Sequence, residues 1–234
     1  MNEQRIKEIQ ETIGLGLAQR AFDLGAIRLN TENPFQWASG YRMPIYNDNR
    51  QLLRDAEVRA LVGEGFFQLM EAMGFSPDAV AGTATAGIPH ATTLADRMGL
   101  PLTYIRSTSK GHGLKNAIEG LPIGGTYEGQ RVALIEDLIS TGGSSIKAVE
   151  AITASNGEVP YCLAIFTYGL KAAVDNFAAL EPSCTPITIL TYDIMVEAAV
   201  KSGYIDEKSA QLLTQWKSDP FGWGEANGFP KVER

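Results

Sequence analysis

Residues 132–145 read VALIEDLISTGGSS, and the fold turns on this stretch. Val132 to Ile135 form an apolar run without polar alternation, as in a strand buried on both faces. Two adjacent acids, Glu136 and Asp137, follow at its end. The turn Ser140-Thr141-Gly142-Gly143-Ser144 then opens a helix. Such a junction is an anion cradle. Successive backbone N–H groups point into the turn, and the helix N-terminus adds positive potential. The two glycines let the backbone approach a phosphate, and Ser140, Thr141 and Ser144 add hydroxyl donors. The turn alone reads equally well as a capped helix start with no ligand. The acids shift that balance: they would repel a bare phosphate, but suit a ligand that carries sugar hydroxyls or a hydrated Mg²⁺ beside its phosphate. The stretch lacks both the Gly-Lys-Ser/Thr ending of a Walker A loop and the G-x-G-x-x-G of a dinucleotide site.

Around this stretch the pattern alternates. Strands are expected over 78–82, 102–105, 131–136, 161–168 and 187–190. Helices are expected over 87–98, over 144–155 and in a short segment ending at 180. Alternation with near-continuous apolar strands predicts an α/β fold: a Rossmann-like parallel β-sheet flanked by helices. Before it, apolar spacing gives a helix over 6–24, weakened by Gly14 and Gly16, then a short strand over 26–29. NPFQWASGYRMPIYNDNR, residues 33–50, suggests two short strands joined by a turn, and 54–73 returns to a helical pattern. The tail from 191 reads as two helices and an aromatic coil. These textures divide the chain into an N-terminal helix and hood region (1–75), an α/β core (76–190) and a C-terminal tail (191–234), expected to form one compact domain. Residues 107–130 are polar and glycine-rich without apolar periodicity, too long for an ordinary connection, and fit either a binding loop or a surface insertion.

Composition narrows the function classes. The chain has 234 residues, 44% hydrophobic and 20% charged, which excludes disorder, collagen and coiled coil. A net charge of −7 argues against nucleic acid or an anionic membrane as partner. Two cysteines, Cys162 and Cys184, make no disulfide framework and read as buried thiols. Two histidines remove most zinc geometries. The polar, helical start shows no secretory signal, and no apolar run reaches a membrane span, so the expected compartment is the cytoplasm.

Val132-Ala133-Leu134-Ile135-Glu136-Asp137-Leu138-Ile139-Ser140-Thr141-Gly142-Gly143 resembles the ribose-5-phosphate signature of the type I phosphoribosyltransferases. Three further segments are similar to the orotate members of that family. Tyr104-Ile105-Arg106 with Lys110, His112 and Gly113 resembles their mobile loop. Phe35 to Gly40 with Pro44-Ile45-Tyr46 and Asp48-Asn49-Arg50 resembles their N-terminal hood. Gly82-Thr83-Ala84-Thr85-Ala86-Gly87-Ile88 stands where the family has its pyrophosphate loop. The resemblance spans about residues 20–170.

The resemblance implies transfer of ribose 5-phosphate from 5-phosphoribosyl-1-diphosphate (PRPP) to orotate, giving orotidine 5′-monophosphate and pyrophosphate in pyrimidine synthesis, with Mg²⁺ as cofactor. It implies that Glu136 and Asp137 hold the ribose hydroxyls and that the segment Leu138, Ile139, Ser140, Thr141, Gly142, Gly143 and Ser144 binds PRPP. Arg106, Lys110 and His112 would close over the pyrophosphate, with Lys110, His112 and Asp137 as the catalytic group. Ser140 would stand against the orotate ring, and Mg²⁺ would be held mainly through PRPP and water. A homodimer is implied in which the 107–127 loop reaches the neighbouring subunit's site. The sequence departs from the pattern in places. Ser107 replaces a Lys found in many members. Ala38, Ala86 and Tyr168-Gly169 stand where one branch has Lys, Lys and Arg, and the first acid is Glu. The orotate carboxylate thereby loses its usual cations; Arg42 is the substitute candidate, its other reading being a solvated surface arginine. A phosphoribosyltransferase for another base and a non-catalytic PRPP sensor are the competing readings. The hood disfavours the first, and the retained loop residues with the acidic charge disfavour the second.

Overall fold

Residues 1–106 and 117–233 are described by the computed structural model of the protein. Helix α1 (Glu3–Ile9) runs through a π-helical turn (Gln10–Gly14) into α2 (Leu15–Asp23). The widened turn falls at the first of the two glycines that weaken the pattern. A Cβ on Gly14 would stand 2.6 Å from the Ile189 carbonyl oxygen, so only glycine lets the helix ride this close to the sheet. Next come β1 (Ile27–Leu29), β2 (Phe35–Gln36), β3 (Arg42–Met43) and β4 (Ile45–Asn47). β1 pairs antiparallel with β4 and β2 with β3, which forms the hood. Helix α3 (Ala56–Met73) is capped by the Asp55 carboxylate, which accepts from the Glu57 and Val58 N–H groups.

The alternating half gives β5 (Ala79–Thr83), α4 (Gly87–Met98), β6 (Leu102–Ile105), β7 (Ile118–Glu119), β8 (Val132–Ile139), α5 (Gly143–Ala154), β9 (Tyr161–Thr167), α6 (Lys171–Ala178) and β10 (Thr185–Thr191). These strands form one six-stranded sheet, in the order β10-β9-β8-β5-β6-β7, parallel except for β7 at the edge. Apolar clusters cover both faces. Ala133 and Ile135 pack on the side of Phe66 and Leu94, whereas Leu134 packs on the side of Val149 and Ile152. Burial on both sides is why the strand carries no polar alternation. Both cysteines are buried and free; burial pushes the Cys184 thiol up to about 12, so neither is a reactive thiolate. His90 is buried, held down to about 4 by burial, and stays neutral.

The structure departs from the sequence expectations at several places; residues 33–50, expected as two short strands, hold three, β2, β3 and β4. β8 continues three residues beyond 136, because Leu138 and Ile139 keep their pairing with Phe166 and Thr167 of β9. The acids therefore lie within the strand rather than after it. The polar stretch is anchored to the sheet at points beyond residue 117: Ile118 and Glu119 pair with Ile105 and Tyr104, and Tyr127 is buried with its hydroxyl 2.7 Å from Thr103 Oγ1. A two-residue strand has no periodicity to read. The aromatic coil of the tail contains a short helix. After α7 (Tyr192–Lys201) and α8 (Glu207–Ser218) comes α9 (Trp223–Ala226).

The tail packs on the hood. Trp216 is buried, and its indole N–H donates to Met43 Sδ at 3.1 Å. The Val232 N–H donates to the Gly40 carbonyl at 3.0 Å, and Tyr41 packs against Phe221 with ring centroids 5.1 Å apart. Among the described residues, no helix is long and apolar enough to cross a membrane.

Candidate active site

Four carboxyl ends of parallel strands meet here: those of β5, β6, β8 and β9. β8 is central, and a ligand at its end faces the turn into α5, where the helix N-terminus is positive. Gly142 opens that turn at φ +84°, a conformation that favours glycine, and a Cβ there would stand 3.1 Å from the Phe177 ring. Helix α6 also fixes the turn from outside, since the Asn176 side-chain amide donates to the Thr141 carbonyl at 2.9 Å.

A cavity of about 370 Å³ opens over the turn. Ser140, Thr141, Gly143 and Ser144 line it from the cradle, and Lys147 from the next turn of α5. Arg106, from the end of β6, stands across from them and pairs through Nε with Glu119 Oε1 at 3.2 Å. The structure thus brings one predicted cation of the loop onto the predicted cradle. Lys110 and His112 lie outside the described residues.

A second cavity, of about 600 Å³, lies between the hood and the strand ends. Its walls are aromatic and polar: Trp37, Ser39, Tyr46, Asn47 and Tyr168. Tyr168 is buried among Trp37, Phe166, Tyr192 and Trp216, and burial raises its phenol, so it stays neutral. Leu138 and Ser140 border both cavities, so the two lie side by side at the end of β8. One is lined by the hydroxyls and glycines of the turn with Arg106 and Lys147, the other by aromatic rings and uncharged polar side chains.

The two acids part ways. Glu136 is 5% exposed, and the protein occupies both of its oxygens. Oε1 accepts from Thr83 Oγ1 at 2.6 Å and from the Asp137 N–H at 3.0 Å; Oε2 accepts from Ser145 Oγ at 3.1 Å. Burial pushes the carboxyl up to about 7. It therefore joins the last residue of β5 to the first turn of α5, under the cradle. Asp137 is half-buried; burial raises its carboxyl too, and Arg50 acts against that shift. Its carbonyl accepts from the Asn49 side-chain amide at 2.7 Å. Neither acid is among the residues lining the cavities. Ile139 is buried below the strand, and its carbonyl accepts from the Thr167 hydroxyl and the Tyr168 N–H.

Arg42 does not border the aromatic cavity. It lines a separate cleft with Asn33, Phe229 and Lys231, between hood and tail. Arg42 and Met43 alternate in β3, and Met43 takes the inward position. No Lys or Arg is among the residues lining the aromatic cavity. The structure adds Asn47 and Lys147 to the site, and it places Tyr168, which stands where one branch of the family has Arg, on the aromatic cavity.

Among the described residues, no group of three or more His, Cys, Asp or Glu side chains is placed to hold a metal ion.

The chain matches the family described as phosphoribosyl transferase domain over residues 48–175. It is 44% identical over 209 residues to an orotate phosphoribosyltransferase of Enterococcus faecalis, covering 89% of this chain and 97% of that one. A solved orotate phosphoribosyltransferase from Aeropyrum pernix superposes with a TM-score of 0.65 at 30% identity, over 81% of this chain and 99% of that one. A Leishmania donovani UMP synthase shares the fold, with a TM-score of 0.72 at 24% identity, over 88% of this chain and 42% of that longer one.

Proposed function

The chain belongs to the orotate phosphoribosyltransferases, and from that premise we infer that it joins orotate to PRPP at the seam between its two cavities. The reaction gives orotidine 5′-monophosphate and pyrophosphate, a step of pyrimidine biosynthesis. One observation carries the assignment of substrates to cavities: Leu138 and Ser140 border both. PRPP in the cradle then presents its anomeric carbon at the same strand end that orotate reaches from the aromatic side.

The roles follow from position and charge. Ser140, Thr141, Gly142, Gly143 and Ser144 hold the 5′-phosphate through backbone N–H groups and hydroxyls, and Lys147 adds a cation. Arg106 meets the diphosphate. Asp137 accepts from the ribose hydroxyls. Glu136 acts through its neighbours, holding the end of β5 in register with the cradle. Ser140 lies against the orotate ring, and Trp37, Tyr46 and Tyr168 exclude water from it. No protein nucleophile is required, since orotate displaces pyrophosphate at the anomeric carbon through an oxocarbenium-like transition state. The protein supplies orientation and neutralises charge on the leaving group.

Mg²⁺ fits this donor set as a cation that arrives with the substrate. It would be held mainly through PRPP and water, with Asp137 as the half-buried acid beside the ribose, and would supply positive charge to the leaving group. Lys110 and His112 follow from the family resemblance as donors to the departing pyrophosphate. The homodimer, with the loop from residue 107 reaching the neighbouring site, and the cytoplasmic compartment belong to the same proposal.

The assignment is tested by offering purified protein PRPP, Mg²⁺ and a panel of bases. Orotate is expected to be consumed and adenine and uracil not. Turnover of adenine or uracil without orotate would overturn it.

A further inference from the structure

Asn47 is the residue of the aromatic cavity for which the fold supplies no reason. It lies in β4 opposite Ile27 and is partly buried. Both polar atoms of its carboxamide are closed off from solvent, and neither has a hydrogen-bond partner. Buried side-chain amides are nearly always paired, and an unpaired one costs stability. The backbone pairing of β4 with β1 makes no use of this amide, and the residue borders the cavity assigned to orotate.

A carboxamide presents one donor and one acceptor side by side. The ring of orotate carries the complement: an imide N–H flanked by two carbonyls. The same side-by-side logic lets asparagine pair with an adenine edge. We propose that Asn47 reads the imide edge of the base, its Oδ1 accepting from the ring N–H and its Nδ2 donating to the neighbouring ring carbonyl. Rotation about its two side-chain torsions turns the amide toward the cavity. This rests on the assignment of the aromatic cavity to orotate. It also gives the base a specific polar contact in a cavity without a Lys or Arg on its walls. A 4-amino pyrimidine with no imide hydrogen presents the wrong pattern and leaves the amide unpaired, which is how a hydrogen-bonding site rejects an analogue.

The test uses two variants and one control. In Asn47→Leu the shape is kept and the amide removed. With no protein hydrogen bond to lose, the unliganded variant is expected to melt no lower than wild type. Its KM for orotate is expected to rise about tenfold, the loss of two ordinary hydrogen bonds, with KM for PRPP within about twofold. In Asn47→Ala there is room for a methyl group, and the wild-type preference for orotate over 3-methylorotate is expected to collapse toward parity. The Ala variant also carries the KM comparison if the Leu variant does not fold. In Ala38→Trp the bulk of the new side chain fills the cavity, so KM for orotate is expected to rise steeply. If Ala38→Trp raises KM for orotate while Asn47→Ala leaves both KM and the base preference unchanged, the Asn47 proposal falls and the cavity assignment stands. If neither raises it, the cavity assignment falls and the proposal with it. A lower melting temperature in Asn47→Leu with KM unchanged makes the amide structural and overturns the proposal.

Discussion

Thr83 Oγ1 and Glu136 Oε1 lie 2.6 Å apart, so the last residue of β5 hangs on the carboxylate that also holds Ser145. Glu136→Gln keeps an oxygen for Thr83 and for the Asp137 N–H and turns an amide to Ser145. It should fold with near-wild-type kinetics. Glu136→Ala leaves the Ser145 hydroxyl and the Asp137 N–H unpaired in a closed space, at about 1–3 kcal/mol for each such group, and leaves Thr83 only its longer contact with the Ile135 carbonyl at 3.3 Å. Its melting temperature and its KM for PRPP should both suffer. Calorimetry with steady-state kinetics on the two variants checks this; equal behaviour of Gln and Ala would remove the tether.

The same carboxyl sets a pH dependence. Its pKa is raised by burial from 4.5 to about 7, so the native state binds its proton more tightly than the unfolded chain does. The stability it contributes is full below about 4.5 and is lost as pH rises toward about 7. Asp137, also raised by burial, acts in the same direction. Urea melts from pH 4.5 to 8 should show stability falling with pH in wild type and a flatter profile in Glu136→Gln.

Asp137→Asn keeps the size and removes the charge. β8 is held by its apolar residues and its pairing, so the fold should survive. An acceptor for ribose hydroxyls that is charged in the transition state is worth about 10²-fold in kcat/KM. Unchanged kinetics would take the ribose from Asp137.

Gly142→Ala tests the cradle from its backbone. The position sits at φ +84°, where a side chain costs about 1–2 kcal/mol, and the new methyl would press on Phe177. KM for PRPP should rise while KM for orotate moves little. Isothermal titration with PRPP provides the direct readout.

Lys110→Ala should lower kcat more than it raises KM for PRPP if the amine stabilises the departing diphosphate. If the loop works across a dimer, Lys110→Ala and Asp137→Asn chains should restore activity when mixed, because one site then keeps both residues. Verified heterodimers without rescue would put the loop over its own site.

The legible part of this protein was the part encoded locally. α4 (Gly87–Met98) has the bounds the pattern predicts, because glycine and an apolar stripe mark them within a dozen residues. The cradle was readable for the same reason. The resemblance gives Glu136 and Asp137 one shared role, because adjacent acids look alike in a motif. Their separate fates arise from Thr83 and Ser145, which reach it through the sheet and the helix. Arg42 was chosen for its charge, but strand alternation and the tail place it in another cleft. Asn47 and Tyr168 meet only through tertiary packing, which no window of sequence contains.

The bond from Trp216 to Met43 spans 173 residues of chain, whereas Glu136 and Ser145 are nine apart. The two halves of the site therefore belong to different moments in the life of the molecule. Synthesis runs from the N-terminus, and distant closures are the slow ones. A growing chain that has passed residue 178 holds every element of the phosphate cradle, yet its hood has no Trp216 to rest on. Affinity for the phosphate end of the donor should thus precede affinity for the base on the ribosome. Ribosome-stalled chains ending beyond α6 would capture PRPP well before they discriminate among pyrimidines.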